Sequence, residues 1–277
     1  MVTVSIIVRT LNRNLLLKRT IQSIRSQTYR DWEIIVVNNG GDKDELEETL
    51  QDDVVLMRDK LKIIHMNKSE YMEVATNVGI KNSIGEYITL LDDDDTWDPS
   101  FLEKCVAKLE MPNIYGVATR TSLIYEVVQD RDVRFISLEK FNGNLKNVSL
   151  YKLARRNLFT TNSFMYKRSL LNEIGYYRED LPVLGDWEFN LRFRLNYPIY
   201  VIPEYLANYH KRLPQDKIGS LNNTQIKLHL QYDKKLRYNY LSKGFRGEIP
   251  FCFGLLIFFY MYLNFSFRGL KKMIGRG

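Results

Sequence analysis

Cysteine and histidine are scarce in this chain. Its 277 residues include 2 cysteines and 3 histidines. Cys105 and Cys252 lie far apart in apolar surroundings, with no CxxC pair and no Cys/His ligand spacing. That excludes a thiolate zinc site and a disulfide framework, and leaves both thiols as reduced core or membrane-facing residues in a reducing compartment. A signal peptide is missing too. The first ten residues read as a strand, without a basic n-region followed by a long apolar stretch. A cytoplasmic catalytic part is therefore expected. There is no internal repeat and no low-complexity linker.

What is present fits a globular protein. Hydrophobic residues make up 45% and charged residues 26% of the chain, a balance that suits one large domain with a sizeable core. The formal net charge is +7, which favours anionic partners, although a dispersed basic surface gives the same number. The basic residues gather late, at Lys243, Arg246, Arg268, Lys271, Lys272 and Arg276. The acidic ones cluster between Asp42 and Asp98. Basic residues that avoid the motif-bearing half argue against nucleic acid as a partner.

The first 110 residues alternate strand and helix. Val2 to Val8 and Trp32 to Val37 read as buried strands, Leu61 to His65 and Tyr87 to Leu91 as two more. Between them lie helices: one with Leu17, Ile21 and Ile24 on one face and Asn12 or Asn14 as cap, one over Asp42 to Asp52, and one over Glu70 to Ile84. Asp98-Pro99 starts another, with Phe101, Leu102, Cys105, Val106 and Leu109 on its apolar face. This order predicts an α/β fold with a doubly wound, mostly parallel sheet, whose ligands bind beyond the carboxyl ends of the strands. Two polar loops sit at such ends, Asn38 to Asp42 and Asp92 to Asp95. Farther on, Ile114 to Tyr125, Arg134 to Leu138 and Asn162 to Tyr166 read as strands, and Gly185 to Leu195 as a helix. A charged helix is expected over residues 221–242.

Four adjacent aspartates at a strand end repel one another, and some would stay protonated without a partner. A divalent cation with oxygen ligands, Mn²⁺ or Mg²⁺, would relieve that repulsion by binding one or two carboxylates together with substrate phosphates. The alternative is a solvated acidic loop in which Asp95 or Asp98 caps the following helix.

Five segments in order give a more specific reading: VSIIVRTLNR, SIRSQTYRDWEIIVVNNGGD, ATNVGIKNSIGEYITLLDDDDTWDP, FMYKRSLLNEIGYYRED and LPVLGDWEFNLR. Over residues 3–215 the chain resembles the inverting glycosyltransferase family 2, of bacterial cell-surface polysaccharide type. That resemblance implies a GT-A fold, with a nucleotide-sugar-binding half near 1–111, an acceptor half near 112–215, and a helical extension over 216–277. It makes Asp92 and Asp94 the D-x-D metal ligands and places Asp93 toward the ribose or diphosphate. Thr10, Asn12 and Arg13 would line the nucleotide pocket. Where the family has an acidic pair that reads uracil, this chain has Asn38-Asn39. An amide offers both donor and acceptor to a pyrimidine, so the order of donors is UDP, then TDP, then GDP. The family's common arginine is Thr76 here.

The family keeps a Glu-Asp pair for the general base, and the chain has Gly185-Asp186. Asp186 matches the base, which a helix N-terminus would keep ionised; a plain helix cap is the alternative. Glu188 is the second choice on the acceptor side. Trp187 would stack on a sugar or pack in the core. His210, in NYHKR, matches a histidine near the metal in related enzymes. The partners implied are a nucleotide-diphosphate sugar and a glycan or lipid-linked acceptor; a homo-oligomer is left open.

Phe251 to Phe265 is almost wholly apolar, yet shorter than the roughly 20 residues that span a bilayer. With Arg268, Lys271 and Lys272 beside it, it fits a peripheral segment at the inner face of the cell membrane; packing on the catalytic domain or at a dimer interface is the alternative. Two other functions remain open: a sugar-phosphate nucleotidyltransferase, against which stands the lack of glycine between Thr10 and Asn14, and a non-catalytic membrane-bound scaffold.

Overall fold

The computed structural model describes residues 3–129, 132–213 and 226–260. Apolar runs form its centre. β1 (Val4–Thr10), β2 (Trp32–Asn38) and β4 (Tyr87–Asp92) are buried nearly end to end, as strands covered on both faces must be. β3 (Leu61–His65) joins them in the order β3-β2-β1-β4, all parallel. The sheet then turns mixed. β8 (Phe164–Lys167) runs antiparallel to β4 and to β6 (Gly116–Gln129), and β7 (Asp132–Phe141) pairs antiparallel with the other part of β6. β9 (Ile199–Arg212) lies parallel to β6, and the two-residue β5 (Thr96–Trp97) pairs with it.

Side-chain alternation divides the core. Ile6 and Val8 face one layer, built with α1 (Asn14–Arg25), α2 (Lys43–Met57) and α4 (Phe101–Leu109). Ile7 faces the other, built with α3 (Met72–Lys81), α5 (Leu150–Arg155), α6 (Leu171–Ile174) and α7 (Gly185–Asn196). α8 (Ile226–Phe245) joins this second layer through Leu236 and Tyr240. Of the residues beyond 216, Leu236, Tyr240, Phe253, Ile257 and Tyr260 belong to this second core.

Several expected details differ. Neither Asn12 nor Asn14 caps α1: Arg13 holds the cap position without a side-chain bond, and Asn12 takes φ 51°. Asp42 is the true cap, accepting from Glu45 N and starting α2. Asn162 lies in a single 3₁₀ turn before β8. The 14-residue β9 was not expected from its sequence.

Residues 251–260 are helical. Phe253, Ile257 and Tyr260 are buried in the second core, while Phe251, Leu255 and Phe259 form an exposed stripe at intervals of four. The start of the apolar run therefore packs on the protein with one face and leaves the other uncovered. Among the described residues no helix is long and apolar enough to cross a membrane. Arg268, Lys271, Lys272 and the end of the apolar run lie outside the described residues.

Candidate active site

The four aspartates sit where β4 ends, and the chain itself neutralises them. Arg9, from β1, pairs with Asp92 and donates to Thr76 Oγ1 at 2.9 Å. Arg13 reaches Asp93 at 3.0 Å and Asp94 at 2.9 Å. Arg212, at the end of β9, donates to Asp94 Oδ2 at 2.6 Å, and Arg19 donates to the Asp94 carbonyl at 2.6 Å. The repulsion that a divalent cation was expected to relieve is offset in part by the chain's own guanidinium groups, Arg9 on Asp92 and Arg13 and Arg212 on Asp94. Burial still counts against charge at Asp93, whose pKa is pushed up to about 7 despite Arg13.

Asp95 is structural. Its carboxylate accepts from His210 N and Asn162 Nδ2, both at 2.9 Å, and its carbonyl accepts from Thr20 Oγ1 at 2.8 Å. With β5 pinned to β9, the loop is tied at both ends. His210 is engaged at both ring nitrogens, 2.9 Å from Glu126 and 2.9 Å from Thr96 Oγ1. No ring nitrogen is left for an ion in this arrangement, which corrects its reading as a metal ligand. Burial raises the Glu126 carboxyl, but bonds from His210 and Arg19 outweigh it and hold the pKa near about 2.

Among the described residues no group of three or more His, Cys, Asp or Glu is disposed to hold a metal. The donor set at Asp92 and Asp94 fits a hard cation that takes one or two carboxylates and completes its shell from substrate phosphates. It does not fit an all-protein cage.

The residues expected to line a nucleotide pocket sit beside this loop. Thr10 is buried at the end of β1, beside Asp93. Asn12 accepts from Asp42 N at 2.8 Å. The two asparagines are spent on backbone. Asn38 donates to the Gly41 and Asp42 carbonyls and accepts from Gly41 N; Asn39 both donates to and accepts from the backbone of Glu70 at 2.9 Å. Their expected role of offering free amide edges to a pyrimidine is corrected. They shape the loop, in which Gly40 takes φ 80° and a side chain would overlap the backbone of Lys68 and Ser69.

Asp186 lies one residue into α7, so it is not the cap; Leu184 holds that place. Asp186 Oδ2 accepts from Asn157 Nδ2 at 2.8 Å and from Thr161 Oγ1 at 3.3 Å. Burial raises its pKa against the hydrogen bonds and Arg9, opposite to the expected effect of the helix end. A cavity of about 1120 Å³ opens on it between α5, α7 and α8, lined among others by Arg156, Asn157, Leu184, Trp187 and Arg237.

The family model for glycosyl transferase family 2 matches residues 5–175, which include β1, the aspartate loop and β8. The chain belongs to that family. This glycosyltransferase is 29% identical over 209 residues to the glycosyltransferase YwdF of Bacillus subtilis (strain 168), covering 72% of this chain and 71% of that one. Its fold is that of GT-A enzymes. It matches the S. aureus TarS complex with UDP-GlcNAc at a TM-score of 0.62 and 19% identity, over 86% of this chain and 66% of that one. It matches the mannosyltransferase PcManGT of Pyrobaculum calidifontis, in complex with GDP-Man and Mn²⁺, at 0.65 and 19%, over 94% and 69%.

Two expected acceptor-side residues of the glycosyltransferase prove to be internal. Glu188 is fully buried and chelates Arg192 at 2.8 and 2.9 Å. Trp187 donates to the Leu153 carbonyl at 2.7 Å, and the Arg237 guanidinium covers its ring at 4.8 Å. That leaves no free ring face for a sugar on the covered side. Sequence reasoning passed over Arg9, Arg19, Arg212, Glu126 and Asn157, because each gains its partner across the fold.

Glu73, on α3, was also missed. It is buried beside Arg9, Asp186 and Asp92, and burial lifts its pKa to about 7. A carboxyl raised from its unfolded value, about 4.5, contributes its full share of stability below that value. The share is lost as pH rises through about 7. Thermal melts of Glu73→Gln against the parent should therefore show a gap in favour of the variant that opens between pH 4.5 and 8. It should reach on the order of 3 kcal/mol. A gap that does not change with pH would contradict this environment for Glu73.

Proposed function

We propose that this glycosyltransferase moves a hexose or N-acetylhexosamine, with inversion, from a nucleotide-diphosphate sugar to a hydroxyl of a glycan or lipid-linked acceptor. A UDP-sugar is the favoured donor, and the setting is cell-surface polysaccharide synthesis. The observation that carries the reading is the meeting of two carboxylate sets: the arginine-held aspartates at the end of β4, and Asp186 at the start of α7, open to a separate cavity. One set suits a diphosphate leaving group, the other a single proton acceptor, and an inverting transfer needs one of each.

Asp92 and Asp94 would hold Mn²⁺ or Mg²⁺, which supplies positive charge to the leaving diphosphate. Arg13 and Arg212 face the same carboxylate, so they stand ready to bind phosphate oxygens. Thr10, Asn12 and Arg13 bound the donor pocket, with Asn38 and Asn39 fixing its wall and Asp93 beneath it. Asp186 accepts the proton of the acceptor hydroxyl; its raised pKa brings it closer to working pH. Lys152 and Arg156 along the cavity give the acceptor path basic groups that suit a phosphate-bearing acceptor. The exposed stripe of Phe251, Leu255 and Phe259 suits contact with lipid at the inner membrane face.

A screen of nucleotide sugars for hydrolysis tests this. One UDP-sugar should turn over at least about tenfold faster with Mn²⁺ than with chelator, tenfold being 1.4 kcal/mol of transition-state charge stabilisation. Equal rates in both would shift the electrostatic work to Arg13 and Arg212. No turnover of any nucleotide sugar would favour a scaffold.

A further inference from the structure

Position 185 carries no side chain, and the space beside it is filled from elsewhere. A Cβ built on Gly185 would fall inside the Glu73 side chain, overlapping Oε1, Cδ and Cγ. Glu73 belongs to α3, more than a hundred residues earlier, and packs there with 7% of its surface exposed. Its Oε2 is buried and has no hydrogen-bond partner. A buried carboxylate oxygen left unsatisfied is costly unless a ligand or a neighbouring group uses it. The charges around it are Arg9, which also holds Asp92, and Asp186. Within α3 Glu73 is a first-turn acid, and the neighbouring buried positions of the helix, Ala75, Thr76, Asn77, Gly79 and Ile80, are all uncharged.

We propose that Glu73 delivers from α3 the acidic group that position 185 lacks. With Asp186 it forms a two-carboxylate pair drawn from separate elements. This rests on the reading of Asp186 as the base. Glu73 is a positioning residue. It lies with Asp92 in the field of Arg9, which pairs with Asp92, so one cation stands between the donor side and the acceptor side. Its charge also sets the field in which Asp186 accepts a proton. The backbone at 185 permits the exchange: residue 185 is the first of α7 and is not among the positive-φ positions. An acid there also faces the positive end of the helix.

The test moves the acid between the two positions in the full chain. Glu73→Ala should lower kcat by on the order of 10²-fold, the cost of a misplaced reacting group, with donor KM little changed. Gly185→Glu alone should also lose activity, since two side chains then compete for one space. The double variant Glu73→Ala/Gly185→Glu should regain at least tenfold of the lost kcat, and Glu73→Ala/Gly185→Leu, which refills the volume without the acid, should not. If Glu73→Ala does not purify as a folded protein, Glu73→Ser takes its place in each pair. Full activity in Glu73→Ala, no recovery in the Glu pair, or equal recovery in the Leu pair would each overturn the proposal. An active Asp186→Asn would instead remove the base reading while leaving the relocation result to stand on its own.

Discussion

Asp186→Asn folds as the parent does and transfers sugar about 10³-fold more slowly. The geometry supports both halves of that statement. Asn157 and Thr161 donate to Asp186 Oδ2, and an asparagine oxygen accepts those bonds equally well. Asn157 is held in turn by Asn190 at 3.1 Å, so the local lattice of amides persists. What is lost is the ability to take a proton. Transfer to the acceptor should fall while the slow hydrolysis of donor by water falls less, because the proposed donor contacts lie at the end of β4. Measuring both rates with one donor separates them. Undiminished transfer would show that the base lies elsewhere.

Asp94→Asn should cost two to three orders of magnitude in kcat/KM for the donor, on the order of the loss seen when one preorganised electrostatic group is removed. Asparagine is chosen over alanine for a physical reason. Arg212 has a side chain only 4% exposed and pairs with Asp94; alanine would leave a buried cation without its partner, a loss of roughly 3–5 kcal/mol that would confound folding with function. Asparagine keeps an oxygen for Arg13 and Arg212 but removes the charge. The residual rate should no longer respond to Mn²⁺. A variant whose remaining activity is still stimulated by the ion as strongly as the parent would place the cation on other ligands.

The sequence made the central sheet easy to read, because β1, β2 and β4 are short apolar runs bounded by polar loops and their neighbours are local in the chain. The aspartates were legible for the same reason: they follow directly on an apolar strand. β9 was not. Its run contains Pro203 and Glu204, and its register against β6 shifts there, so neither alternation nor continuity marks it. With β9 went Arg212 and the true surroundings of His210. The arginines that neutralise the loop were invisible in a different way. Arg9 finds Thr76 and Asp92 at 67 and 83 residues' remove, and Arg19 finds Glu126 at 107; periodicity cannot report such pairings. Composition placed Asn38 and Asn39 together in a loop, whereas Asn38 is the last residue of β2 and only Asn39 lies beyond it, and the direction of their amides is decided by the backbone of Gly41, Asp42 and Glu70. Glu73 fell within the helix expected over Glu70 to Ile84 without being singled out, and only the space beside Gly185 reveals what it stands beside.

Arg237 gives the C-terminal third of the chain an influence out of proportion to its place at the periphery. It is almost wholly enclosed, donates to the carbonyls of Ala154 and Ile257 at 2.9 Å each, and lies flat on Trp187. One guanidinium therefore clamps α5, α7 and the helix of residues 251–260 into a single mechanical unit. Trp187 is the immediate neighbour of Asp186. A change in the outer helix that disturbs Arg237 would therefore reach Trp187, the residue beside Asp186, through direct contacts.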